Sequence, residues 1–134
     1  MSDYQKIYET EATNTGGRDG FSYLEDGSYE VKITTSKEMG GSGAGQNPEQ
    51  LFALGYSACF HGALEIIKGK HKVREDSQVT NIVHLYKKPD AADFQLAVEI
   101  TVAIRDLDTL EVQKLADEAH KVCPYSKAVS DSIE

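Results

Sequence analysis

The stretch Asn47-Pro48-Glu49-Gln50-Leu51-Phe52-Ala53-Leu54-Gly55-Tyr56-Ser57-Ala58-Cys59-Phe60 decides the fold. It opens as a helix start. Asn47 can cap, Pro48 fits the first helical position, where a missing N–H costs nothing, and Gln50 can reach back as in a capping box. Glu49 sets a negative charge at the positive end of the helix dipole. From Leu51 to Phe60 the run is apolar nearly all the way round, broken only by Ser57 and the Tyr56 hydroxyl. A surface helix carries a polar stripe, so this pattern predicts a largely buried, central helix from Pro48 to about Lys68. Gly55, Ala58, Cys59, Gly62 and Ala63 are small and lie three, four and seven residues apart, so another helix or strand can approach closely there.

On both sides of that helix the chain reads as β-structure. Gln5 to Thr13 alternates roughly, Thr15 to Gly20 is a turn-rich loop, and Phe21 to Leu24 is a short strand. Glu25-Asp26-Gly27 supplies a hairpin turn into Tyr29 to Thr34. The glycine-rich Met39 to Gln46 connects to the helix. After the polar Gly69 to Ser77, Val79 to Tyr86 alternates with Val79, Asn81, Val83 and Leu85 on one face. Pro89-Asp90 turns the chain into a second long strand, Phe94 to Ile104. Asp108 with Glu111 is a capping signature for a helix through His120, with Leu107, Leu110, Leu115 and Ala119 as its inner side. Pro124 then starts a last short helix. Strands, a buried helix, strands and helices in that order give an α+β class.

With 134 residues the chain fits one domain, read as 1–134, and an obligate oligomer would let it bury more surface. No apolar run is long enough for a membrane-spanning helix. The opening Met1-Ser2-Asp3-Tyr4-Gln5-Lys6 lacks the basic-then-apolar layout of a secretion signal, so a soluble, cytoplasmic protein without a membrane partner is expected. A net charge of −8, with no basic stripe, argues against nucleic acid.

Two cysteines, Cys59 and Cys123, are too few for a disulfide scaffold, and a reducing cytosol would keep a merely structural bridge open. They are either buried, inert hydrophobes or a reactive pair. Cys59 lies three turns into its helix, too far from the N-terminus to be acidified by it, and burial raises a thiol pKa. A reactive Cys59 therefore needs a cation from elsewhere; Arg18 in Gly16-Gly17-Arg18-Asp19-Gly20 is a candidate, or else a solvated loop arginine. Cys123, at a helix start, is expected to be exposed with a lowered pKa, or to be an ordinary cap. The glycines before Pro48 fail as a phosphate loop: no Gly-Lys-Ser/Thr follows, and Glu49 would repel the anion. His120 and Cys123 have metal-compatible spacing but no second pair. His61, His71 and His84 read as surface or core-edge residues, and His61 points away from Cys59 on the helix.

Asn47 to Ala53 followed by Gly55-Tyr56-Ser57-Ala58-Cys59-Phe60 resembles the signature of the organic hydroperoxide resistance (Ohr) branch of the Ohr/OsmC peroxidase family. Val122-Cys123-Pro124-Tyr125-Ser126-Lys127-Ala128 resembles that family's second cysteine motif, and Gly16 to Gly20 its arginine loop. The resemblance covers almost the whole chain, in family order and spacing. It implies an OsmC-like α+β fold with antiparallel sheets wrapped around central buried helices in an intertwined homodimer. It further implies a cysteine-based peroxidase acting on alkyl and fatty-acid hydroperoxides, with Cys59 as peroxidatic and Cys123 as resolving cysteine. Arg18 would stabilise the thiolate and Glu49 hold Arg18. The reductant would be a dithiol, typically a lipoylated protein, and neither a bound cofactor nor a metal is assigned. A non-catalytic binder of apolar ligands and a thiol redox sensor are the rival readings of this fold. Family members usually continue into a last strand; here Ser130 to Glu134 ends the sequence, so that strand is expected to be short or absent. His61 stands where a small or apolar residue is expected.

Overall fold

A computed structural model of the chain describes residues 3–130. Asp131 to Glu134, on which the expectation about the last strand falls, lie outside the described residues. By internal contact the chain divides into two compact units, Met1–Pro48 and Glu49–Glu134.

The first unit is an antiparallel three-stranded sheet of β1 (Ala12–Thr15), β2 (Gly20–Leu24) and β3 (Glu30–Ile33), in that order. Register runs Ala12 to Leu24 across the first pair and Gly20 to Ile33 across the second. The strand expected over Gln5 to Thr13 instead begins at Ala12. Lys6, Glu9 and Glu11 charge the earlier segment, and Ile7 and Tyr8 lie 92% and 79% exposed, so no apolar face is buried there to fix a strand. The Glu25-Asp26-Gly27 turn is as expected: Gly27 takes φ 77° and donates to the Leu24 carbonyl at 3.0 Å. Beyond β3 the chain loops back, pairing Thr34 N–H with the Gln46 carbonyl and Gln46 N–H with the Lys32 carbonyl, each at 2.9 Å.

The second unit is built on α1 (Pro48–Lys70). Tyr56, Phe60, Ala63, Leu64 and Ile67 line its buried face at helical spacing. They pack with Ile104, Leu115, Ala119 and Cys123, flanked by Phe52, Val79, Val98, Val102, Val112 and Val129. Burying a side chain such as Leu64 is worth about 2 kcal/mol, so this face supplies much of the unit's stability. Burial all round is not observed. Leu54 and Ile66 are 64% and 62% exposed, and Ala58 and Gly62 lie between them on the same open row.

The hairpin of β4 (Ser77–Lys87) and β5 (Phe94–Ile104) pairs in register from Ser77–Ile104 to Lys87–Phe94. Val79, Asn81, Val83 and Leu85 share the half-buried face, as their alternation predicts. Asn81 is the polar member, its side-chain amide buried without a hydrogen-bond partner among the described residues. α2 (Thr109–Val122) starts on Asp108, whose carboxylate accepts the Glu111 N–H at 2.8 Å. Its inner side holds Leu115 and Ala119 as expected, but Leu110 is 77% exposed. Val112 and Ala116 share the helix face of Leu115 and Ala119 and pack in its stead. α3 (Pro124–Val129) follows after a single residue, Cys123. Among the described residues no helix is long and apolar enough to cross a membrane.

Candidate active site

Cys59 and Cys123 are 64 residues apart in sequence, yet their sulfurs stand 3.7 Å apart as free thiols. Two local features produce this. Cys59 belongs to the α1 face that carries Phe52, Tyr56 and Ala63, turned toward the core. Cys123 ends α2, its N–H bound to the Ala119 carbonyl at 2.8 Å, and caps α3. Pro124 occupies the first position of α3 and breaks the run, so the chain turns at Cys123 in an extended conformation. The Cys123 sulfur accepts the Ser126 N–H at 3.5 Å.

The helix-start position of Cys123 is as expected, but its exposure is not: it is fully buried, whereas Cys59 is partly open. The α3 turn folds back against α1 and covers the second sulfur. A reagent arriving from solvent meets Cys59 first.

The surroundings are apolar and aromatic. Phe52 and Tyr56 meet edge-on at 5.5 Å, and Tyr125 lies 6.1 Å and 5.6 Å from these two rings. Gly55 allows the approach, since a Cβ there would sit 2.7 Å from the Tyr125 hydroxyl oxygen. Burial pushes the Cys59 thiol above its ordinary pKa, the Tyr125 backbone N–H acts against the rise, and the Cys123 thiol adds to it. Cys59 thus sits where a thiolate is disfavoured unless positive charge is supplied. Its Tyr56–Ser126 neighbours are joined by a buried 2.7 Å hydrogen bond.

Arg18 belongs to the first unit, on the β1–β2 loop, and Glu49 to the first turn of α1 in the second. Asn14 ties the loop together. Asn14 Oδ1 accepts the Gly17 N–H at 2.8 Å, while its Nδ2 donates to the carbonyls of Gly17 and Phe21 at 3.1 Å and to Ser22 Oγ at 3.2 Å. Gly16 and Gly17 take φ 89° and 62°, which favour glycine. Asn14 gave no signal in the sequence beyond its place before a glycine loop.

A second polar cluster went unread in the sequence. His61 Nε2 lies 2.7 Å from Ser77 Oγ, to which Lys68 Nζ donates at 3.0 Å. Glu65 accepts from Ser77 at 3.3 Å and pairs with Lys68 at 3.0 Å. His71 and His84 are part-exposed, as expected, and pair with Glu118 and Glu99 at 2.9 and 2.7 Å. Among the described residues no group of three His, Cys, Asp or Glu side chains is arranged to hold a metal ion. A groove of about 420 Å³ runs between β5 and α2, along Ile100 to Ile104, Leu107 and Val112, but neither cysteine lines it.

Residues 40–134 match the family model described as OsmC-like protein. An uncharacterized protein of Acinetobacter baylyi is 43% identical, over 100% of this chain and 94% of its own length. The organic hydroperoxide resistance protein of Xanthomonas axonopodis pv. citri is 40% identical over 100% and 96%. Among solved structures, an organic hydroperoxide resistance protein of Legionella pneumophila superposes with a TM-score of 0.89 at 37% identity, over 97% of this chain and 95% of that one. The organic hydroperoxide resistance protein OhrB of Bacillus subtilis gives 0.83 at 36%, over 95% and 94%.

Proposed function

Because the chain belongs to the OsmC-like protein family, in its organic hydroperoxide resistance branch, we propose that it is a cysteine-based peroxidase that detoxifies organic hydroperoxides. The observation that carries the two-cysteine form of this reading is the 3.7 Å approach of a part-open and a buried sulfur. A binder of apolar ligands has no need of that pair.

The proposed cycle begins with the Cys59 thiolate. It attacks the terminal, hydroxyl oxygen of the hydroperoxide, the O–O bond breaks, and Cys59 becomes a sulfenic acid while the departing alkoxide takes a proton to become an alcohol. The Cys123 thiolate then attacks the Cys59 sulfur. A disulfide forms, and the hydroxyl leaves as water after taking up the thiol proton. A dithiol reductant, such as dihydrolipoamide or a lipoylated protein, gives two electrons and two protons, restores both thiols and leaves as its own disulfide. Closing the bridge requires the sulfurs to move only from 3.7 Å to the about 2.05 Å of an S–S bond.

Burial makes the first step unfavourable by itself, since only the thiolate is nucleophilic. Arg18 is the proposed source of positive charge for it, and Glu49 the proposed carboxylate partner that orients the guanidinium. The aromatic, apolar surroundings of Cys59 favour alkyl and fatty-acid hydroperoxides over hydrogen peroxide. Residues 1–134 serve as one catalytic domain, in a homodimer that covers the open row Leu54, Ala58, Gly62 and Ile66 of α1. The reducing cytoplasm, which holds both thiols ready, is the proposed location.

Turnover of tert-butyl hydroperoxide with dihydrolipoamide tests the reading. Wild type is expected to consume the peroxide, Cys59→Ser to be inert, and Cys123→Ser to stall after one equivalent. Wild-type protein that consumes no peroxide would refute it.

A further inference from the structure

The bond between Tyr56 and Ser126 has a place in the site that the cycle above leaves unused. Tyr56 precedes Cys59 by three residues on α1, and Ser126 follows Cys123 by three residues in α3. Two of the contacts between these elements, sulfur to sulfur and hydroxyl to hydroxyl, are therefore one helical turn apart on each partner. They differ in what they can hold. A thiol–thiol contact at 3.7 Å is weak, whereas an O–H···O bond at 2.7 Å between side chains that are 3% and 0% exposed is well formed and shielded from competing water. Ser126 also serves the sulfur directly, since its N–H is donated to Cys123 Sγ. One residue thus fixes the second thiol and ties its turn to the helix that bears the first. Burial holds the Tyr56 phenol above its ordinary pKa, so it stays a neutral partner while the sulfurs change charge.

We propose that Tyr56 and Ser126 are positioning residues for the resolving step: their hydrogen bond holds the Cys123 turn so that its sulfur meets the Cys59 sulfenic acid. This rests on the peroxidase reading above. The bond takes no part in the electron transfer, in which Cys59–S–OH and Cys123–S–H become a disulfide and water. It sets how often the two sulfurs are aligned when the sulfenic acid appears, the entropic part of an intramolecular reaction. Peroxide attack on Cys59 needs no such alignment, so the two steps separate.

The test uses pre-reduced full-length protein given one equivalent of tert-butyl hydroperoxide and quenched over time. Intact mass follows the disulfide, and a dimedone adduct follows the sulfenic acid. In Tyr56→Phe, which keeps the ring, disulfide closure is expected to slow by about tenfold or more relative to sulfenic acid formation. Ser126→Ala should behave alike, and Ser126→Thr, which keeps a hydroxyl, should recover most of the closure rate. Thermal melts establish which variants are folded, and Ser126→Ala carries the comparison should Tyr56→Phe not fold. Closure at the wild-type rate in a folded variant overturns the proposal, as does an equal slowing of both steps, which marks a general structural role. Wild type that forms neither sulfenic acid nor disulfide removes the peroxidase reading itself, and this proposal with it.

Discussion

Cys59 and His61 stand two residues apart on α1, about 200° around its axis, and they face regions of opposite chemistry. On the Cys59 side two thiols, three aromatic rings and the hydrogen-bonded Tyr56 and Ser126 hydroxyls pack together, and burial works against ionisation of Cys59. On the His61 side, Glu65 and Lys68 of the same helix meet Ser77 of β4 in a network where charge is matched to charge. The second region spends its polarity on holding α1 against the hairpin. In the first, burial works against the Cys59 thiolate, and there a supplied cation would favour the nucleophilic form. The difference teaches that one helix can carry a self-satisfied polar face and, two residues away, a thiol whose ionisation needs charge from elsewhere.

The largest effects should come from changing what completes the Cys59 side. Arg18→Ala is expected to move the pH profile of peroxide consumption to higher pH. Each unit of that shift removes about tenfold of the rate at neutral pH, because the thiolate fraction falls by that factor. The sign follows from the chemistry: losing a nearby cation raises the thiol pKa, and activity then climbs only as pH rises through it. An unchanged profile in a folded variant would show that the charge comes from another group. Asn14→Ala, which removes the clamp of the Arg18 loop but not the arginine, should shift the same profile in the same direction by a smaller amount. Stopped-flow rates across pH 5 to about 9 would separate the two.

Much of this was legible in the sequence, and unevenly so. Helix α1 and the β4–β5 hairpin were readable because their apolar periods are long and their ends carry turn and capping residues. The approach of Cys59 to Cys123 was not, since contact across 64 residues depends on how α2 returns the chain to α1. The exposure expected for Cys123 failed because a helix start in isolation points outward, whereas here Pro124 and Ser126 turn it onto α1. The network of His61, Glu65, Lys68 and Ser77 was invisible for a related reason. Lys68 marks only the end of a helix in the sequence, and its burial to 3% exposure and its bond to Ser77 of β4 depend on how the hairpin packs.

Packing changes should be intermediate in effect. Gly55→Ala must displace Tyr125, whose backbone N–H serves Cys59, and is expected to cost about 1–3 kcal/mol in denaturant unfolding together with slower disulfide closure. On the other side, Lys68→Met should lower stability by about 1–2 kcal/mol, for the hydrogen bonds lost by Ser77 and Glu65, while single-turnover oxidation of Cys59 stays unchanged. A loss of peroxide reactivity in Lys68→Met would break the contrast between the two regions.

The smallest effect belongs to Glu65→Gln. Lys68 holds the Glu65 carboxyl below its ordinary pKa, and the group is half exposed, so the stabilisation is under about 1 kcal/mol. A folded-state pKa that is depressed gives stability present above the unfolded value and lost as pH falls through the folded one. The gap between wild type and Glu65→Gln should therefore be full near neutral pH and vanish in acid, as melts at several pH values would show.

Intact mass after one equivalent of tert-butyl hydroperoxide, with peptide mapping, tests the central claim most directly. The account predicts that wild type loses two hydrogens and yields a linked Cys59–Cys123 peptide, while Cys123→Ser gains one oxygen on Cys59 instead. An unchanged mass in wild type, or oxidation that persists in Cys59→Ser, would contradict it.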